Sequence, residues 1–123
     1  MSNSVAADKT FNFAVQIVKL YKYLCDEKRE YVLSKQLLRS GTSVGANVRE
    51  ALQGLSKRDF LLKIGIALKE AYESLYWIEL LYATSYIDQQ QQISLFESID
   101  EIIRILVSIV KTTKKNLEIE KNK

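Results

Sequence analysis

Apolar positions recur in steps of three and four along nearly the whole chain, the rhythm of helices that bury one stripe and leave the rest in water. Ala14, Ile17, Tyr21 and Leu24, widened by Phe13, Val18 and Leu20, predict a first helix over about 8–27. Leu37, Gly41, Val44, Val48, Ala51 and Leu55 predict a second over about 31–53. A third, about 57–86, is apolar almost all round. Its inward rows are Ile64, Ala71 and Ile78; then Phe60, Ala67, Ser74 and Leu81; then Leu61, Leu68, Leu75 and Tyr82. Leu62, Ile66, Tyr72, Tyr76, Trp77 and Leu80 are left pointing elsewhere. Phe96, Ile99, Ile103, Leu106, Val110, Thr113 and Leu117 predict a fourth helix over about 89–118. Beyond Lys114 the chain turns charged and is expected to fray into a tail at 119–123.

The connections are short, so neighbouring helices must run in opposite directions. The expected fold is all-α: one antiparallel up-down-up-down four-helix bundle. Gly54 closes the second helix, and Ser56 with Asp59 has the pattern of a capping box opening the third. Asp88 with Gln91 repeats that pattern before the fourth, while the charged stretch Asp26 to Glu30 serves as the first corner. The run Ser40-Gly41-Thr42-Ser43-Val44-Gly45-Ala46 is a poor helix former, since each glycine costs about 1 kcal/mol against alanine. Either the helix breaks there or small residues admit a close neighbour. The apolar phase continues through the run, which favours an unbroken helix.

Composition agrees with helices: 123 residues contain no proline and four glycines, with 47% hydrophobic and 27% charged residues. Sheet proteins need more turn formers. The +3 formal charge is mildly basic. Cys25 has no partner for an internal disulfide and reads as a small core filler. The start of the chain has no cationic patch followed by an apolar run, and no window reaches the roughly 20 apolar residues that span a bilayer. The expectation is a cytoplasmic protein without membrane contact.

The chemistry is sparse. There is no histidine, hence no imidazole base or ligand, and diiron bundles built on Glu-x-x-His are excluded. Glu70 and Glu73 without histidine read as surface or interface charges. Ser40 and Ser43 have no base, and Gly41 and Gly45 lack the strand and lysine of a phosphate loop. No catalytic residue, metal or cofactor is expected. Cations are another matter. Lys35, Arg39, Arg49, Lys57, Arg58 and Lys63 line helices two and three, and helix four adds Arg104, Lys111, Lys114 and Lys115. Such charges, spaced along helices, can follow phosphates. The surplus apolar set Leu62, Ile66, Tyr72, Tyr76, Trp77 and Leu80 marks an oligomer interface.

The run Arg39-Ser40-Gly41-Thr42-Ser43-Val44-Gly45-Ala46-Asn47-Val48-Arg49-Glu50 is the most distinctive stretch of the chain. After it come Gly54, Ser56-Lys57-Arg58-Asp59-Phe60 and Ile66-Ala67-Leu68-Lys69-Glu70-Ala71. Together, over about Phe11 to Ile87, these resemble the 23S rRNA intervening-sequence protein family. The resemblance implies an antiparallel four-helix bundle closing into a ring, most often a pentamer, with no enzymatic activity attached. The family is also similar in fold to the accessory protein of diversity-generating retroelements, a basic pentamer that works with a reverse transcriptase. It therefore suggests RNA, DNA or a nucleic-acid-processing protein as partners. A structural ring that recruits another protein without touching nucleic acid is the alternative. Where the family pattern has Asn-Ile-Ala-Glu-Gly, this chain has Asn47-Val48-Arg49-Glu50-Ala51, adding a charge at a position often small. Arg39, Asn47, Glu50 and Glu70 are expected to form one polar network joining helices two and three, since buried polar groups demand partners.

Overall fold

The computed structural model describes residues 3–122. Among them the chain forms four helices and no strand: α1 Asn3–Asp26, α2 Leu33–Leu52, α3 Lys57–Ala83 and α4 Gln89–Lys121. At 1.5 Å per residue they are about 30 to 50 Å long. Each helix packs on the one before it, and α4 returns to α1 through the thinnest of the four seams. Cross-helix contacts step in opposite senses along α1–α2, α2–α3 and α1–α4, as antiparallel neighbours require. Thr10 lies by Gly45 and Ile17 by Gly41. Ser74 meets Ser40, while Lys63 meets Glu50 further down. Gln16 reaches Ser94, and Lys9 reaches Glu101.

The core is built from most of the inward positions, but Leu55, Phe96 and Tyr82, placed in those rows by periodicity, are exposed at 98%, 41% and 40%, and the row Leu61, Leu68 and Leu75 is only half-buried. Phe13, Ile17 and Leu24 from α1 meet Leu37, Val44 and Val48 from α2, Ile64, Ile78 and Leu81 from α3, and Ile99, Ile102 and Leu106 from α4. Each such side chain contributes about 1.5–3 kcal/mol by leaving water. Two buried serines interrupt the apolar layers without cost: Ser74 Oγ donates to Ser40 Oγ at 2.9 Å.

The glycine-rich run does not break α2, and the structure supplies the reason. A Cβ on Gly41 would stand 2.9 Å from Ile17 Cγ1, and one on Gly45 would stand 3.3 Å from the Thr10 carbonyl oxygen. Glycine lets the α1 backbone lie directly on α2.

Four boundaries differ from the sequence expectation. α1 starts at Asn3 rather than near Asp8, because Ala6 is buried and Thr10 Oγ1 donates to its carbonyl at 2.7 Å. α2 starts at Leu33, two residues late, because Glu30 caps it from outside. The Glu30 carboxylate accepts the amides of Val32, Leu33 and Ser34 at 3.2, 3.1 and 2.7 Å. α3 stops at Ala83, where Ser85 turns left-handed at φ 67° and Tyr86 N–H donates to the Leu81 carbonyl at 2.9 Å. α4 stays helical to Lys121, so the tail expected to fray from Lys114 is ordered as helix there; Lys123 lies outside the described residues. Thr113 is buried, and Glu120 pairs with Lys57 across the seam. At the start of α4 the capping box is complete. Asp88 Oδ1 accepts the Gln91 amide at 2.8 Å, and the Gln91 side chain accepts the Asp88 amide at 2.9 Å. At α3 only half of it forms, with Ser56 Oγ accepting the Asp59 amide at 3.1 Å.

Two predictions follow from these contacts. Gly41→Ala should destabilise the protein by about 1–3 kcal/mol in urea unfolding, because the new methyl drives Ile17 off its position. Burial pushes the Glu30 carboxyl up, but the three amides outweigh it and hold the group below its ordinary value. Its contribution is therefore fully present above that ordinary value and is lost as pH falls through the lower folded one. Glu30→Ala should cost about 1–2 kcal/mol at pH 7, and the gap from wild type should narrow by about pH 3.

Candidate nucleic-acid and oligomer interface

α3 has two neighbours, so its flanks meet α2 and α4 and its outer face meets water. The row Lys63, Glu70 and Trp77 turns toward α2, where Lys63 Nζ pairs with Glu50 Oε1 at 2.9 Å and Arg39 reaches Glu70. The row Leu61, Leu68 and Leu75 is half-buried on the other flank. Outward stand Leu62 at 61% exposure, Tyr72 at 51% and Tyr76 at 57%. These three members of the sequence-derived interface set are as wet as that reading requires. Ile66, Trp77 and Leu80 are half-buried already. Trp77 packs against the core, stacks edge-on with Tyr76 at 5.1 Å, and donates its indole N–H to Glu73 Oε2 at 3.0 Å. That donor satisfied, the ring lies along the flank instead of standing free.

The expected four-residue polar network divides in two and loses a member. Arg39 Nη1 pairs with Glu70 Oε2 at 3.0 Å, and its Nη2 pairs with Glu73. Glu50 turns instead to Lys63. Asn47 stays on its own helix, donating to the Ser43 carbonyl at 2.9 Å and to Ser43 Oγ at 3.0 Å, the local bond a short amide makes most easily. Glu73, read from sequence as a surface or interface charge, is the junction of this cluster. The Trp77 indole and the Arg39 guanidinium hold its carboxyl below the ordinary value against the effect of burial. Glu73 in turn raises Arg39. The signal for it was its spacing of four from Trp77.

The ten candidate cations sort by whether an acid holds them. Arg39, Lys57 and Lys63 pair across helices, and Arg104 pairs with Asp100 one turn away on α4 at 3.0 Å. Among the described residues, Lys35, Arg49, Arg58, Lys111, Lys114 and Lys115 have no acid within 4 Å. The topology carries Arg58, Lys111, Lys114 and Lys115 to one end of the bundle, where α3 begins and α4 finishes. Lys35 lies at the other end of α2, so the ten do not form a single stripe. Arg49 has its guanidinium carbon 5.1 Å from the centroid of the Phe11 ring.

Near the basic end opens a trough of about 450 Å³ bounded by Leu55, Ser56, Lys57, Phe60 and Asn116. Another, of about 420 Å³, lies between α1 and α4 beside Gln16, Lys19, Tyr23 and Gln91. Neither brings two carboxylates together. Among the described residues no three of His, Cys, Asp and Glu gather closely enough to hold a metal ion, and no helix is long and apolar enough to cross a membrane.

Comparison with known proteins adds the family. No curated protein matches the chain. A crystal structure of a protein of unknown function from the S23 ribosomal protein family of Bacteroides thetaiotaomicron VPI-5482 superposes with a TM-score of 0.89. It is 53% identical, over 90% of this chain and 99% of that one. The model of the 23S rRNA-intervening sequence protein family matches residues 2–108, which takes in all of α1, α2 and α3 and more than half of α4. On that match, and on a bundle shared with a relative of such identity, the chain belongs to the 23S rRNA-intervening sequence protein family.

Proposed function

We propose that the chain is a non-catalytic, cytoplasmic subunit that closes with copies of itself, five in this reading, into a ring that binds RNA or DNA through a basic rim. The outer face of α3 carries the proposal. Leu62, Tyr72 and Tyr76 stay wet in a lone copy, and water-exposed aromatic and aliphatic groups on one face mark a contact surface. Membership of the 23S rRNA-intervening sequence protein family supports the nucleic-acid half of the reading.

Arg58, Lys111, Lys114 and Lys115 are its working cations, since among the described residues no acid lies within salt-bridge distance of them. Five copies of a +3 subunit set about +15 around one assembly, which raises the local field far above that of one chain. The trough beside Phe60 and Asn116 offers an apolar wall and an amide next to those charges, chemistry suited to an unpaired base.

A second reading keeps the ring and drops the nucleic acid, making the assembly an adaptor for another protein, such as a nucleic-acid-processing enzyme. The four cations already tied to Glu50, Glu70, Glu73, Glu120 and Asp100 favour it, because a paired charge has less to offer a phosphate.

Light scattering on the wild type should give about five times the subunit mass, and Leu62→Lys with Tyr76→Lys should give one, because a charge cannot be buried unpaired in a contact. For the rim, mobility shift on a structured RNA hairpin across a salt series is the measure. Reversing Arg58, Lys111, Lys114 and Lys115 to glutamate should weaken binding by more than about tenfold and flatten the salt dependence. Unchanged affinity would favour the adaptor.

A further inference from the structure

Resting on the ring reading above, we propose that neighbouring copies meet head to tail, the outer face of α3 in one copy lying on the α1–α2 face of the next and crossing at Gly65. The molecule has a second wet apolar face, separate from α3. Phe11 is 51% exposed and Val15 39%, and Ala46 of α2 is exposed as well. The Arg49–Phe11 contact places this face along the α1–α2 groove. α1 and α3 occupy opposite corners of the bundle, each packed on α2 and α4. A two-fold partner seated on α3 would cover one face and leave the other in water. A head-to-tail contact covers both with one kind of interface, and repetition of it closes a ring.

Charge argues the same pairing. Lys22, Lys35 and Arg49 frame the α1–α2 face, and among the described residues none has an acid within 4 Å; Asp8 lies at its lower end. On the α3 side, Glu73 is partly exposed beside Arg39, and Glu79 stands exposed two turns beyond Tyr72, while Glu70 is turned toward α2 and largely covered. Lys69 is the base among them. Acid therefore meets base when the faces differ, and acid meets acid when α3 meets α3.

Gly65 is an independent observation. It sits inside α3, in the same outward row as Tyr72 and one turn from Leu62, and a Cβ built on it meets nothing within 4 Å. Gly41 and Gly45 each have a neighbouring helix to explain them; nothing in its own chain explains Gly65, though glycine weakens a helix interior. A helix of the next copy passing close over the backbone gives it the same role that Gly41 has inside the bundle.

The test uses the full chain in a Cys25→Ser background, with Tyr72→Cys and Val15→Cys as single variants and a short bis-maleimide as crosslinker. Coexpressed, the two should give a covalent dimer; each alone should give none; the double variant should give a ladder up to the closed ring. Gly65→Leu should raise the concentration at which the assembly dissociates by about tenfold. Crosslinking of Tyr72→Cys with itself overturns the proposal in favour of a two-fold contact. An oligomeric mass without crosslinks in the coexpressed pair, or with Gly65→Leu at full strength, overturns it while leaving the ring. A monomeric mass for the background protein overturns both.

Discussion

A helix in a square bundle has two neighbours, and its remaining arc must face water. That constraint organises this molecule around α3. Ile64, Ala67, Ala71, Ser74, Ile78 and Leu81 of α3 disappear into the core, and its flanks take α2 on one side and α4 on the other. Leu62, Tyr72 and Tyr76 fall on the arc no neighbour covers. One copy of the fold leaves them wet, and everything proposed about assembly descends from that mismatch.

The polar groups answer to the same geometry. Along the α2–α3 seam, where two helices approach closely, cations are matched: Arg39 with Glu70 and Glu73, Lys63 with Glu50. Exposed pairs of this kind contribute about 0–1 kcal/mol each, so they set register more than stability. Where α3 starts and α4 ends, cations outnumber Asp59, Glu118 and Glu120, and among the described residues Arg58, Lys111, Lys114 and Lys115 have no acid within 4 Å. The excess charge of the chain is thus not spread evenly but carried toward one end. The proposed contact with phosphates rests on that end, not on the seam.

How much of this could be read before seeing the fold depends on whether a residue's role is set by its own helix or by a neighbour. Periodicity placed Ile64, Ala71 and Ile78 in the core because the step of three and four is a property of one helix. It also located Asp88 and Gln91 as a cap, since both partners sit three residues apart. Gly41 and Gly45 signalled a close approach, but only the packing names α1 as the helix that uses it. Glu30 looked like one more charge at a solvated corner; its burial under α2 depends on Arg29 bending left-handed at φ 52°, which no local pattern announces. Asn47 was assigned a distant partner and has a near one, because an amide four residues from a free carbonyl needs no help from another helix. The wet set on α3 was legible as surplus, while the sinking of Trp77 into the flank required knowing that Glu73 would take its N–H.

The four seams are not equal, and the weakest joins the first helix to the last. Gln16 to Ser94 and Lys9 to Glu101 are thin fastenings beside the glycine-tight union of α1 with α2. The bundle therefore behaves as a folded strip of three hairpins whose two edges have been brought together, not as a barrel of equal staves. Breathing is expected to begin along that edge-to-edge line. Amide protons bordering it on α1 and α4 are expected to trade with solvent before those between α2 and α3, the order that the unequal seams imply.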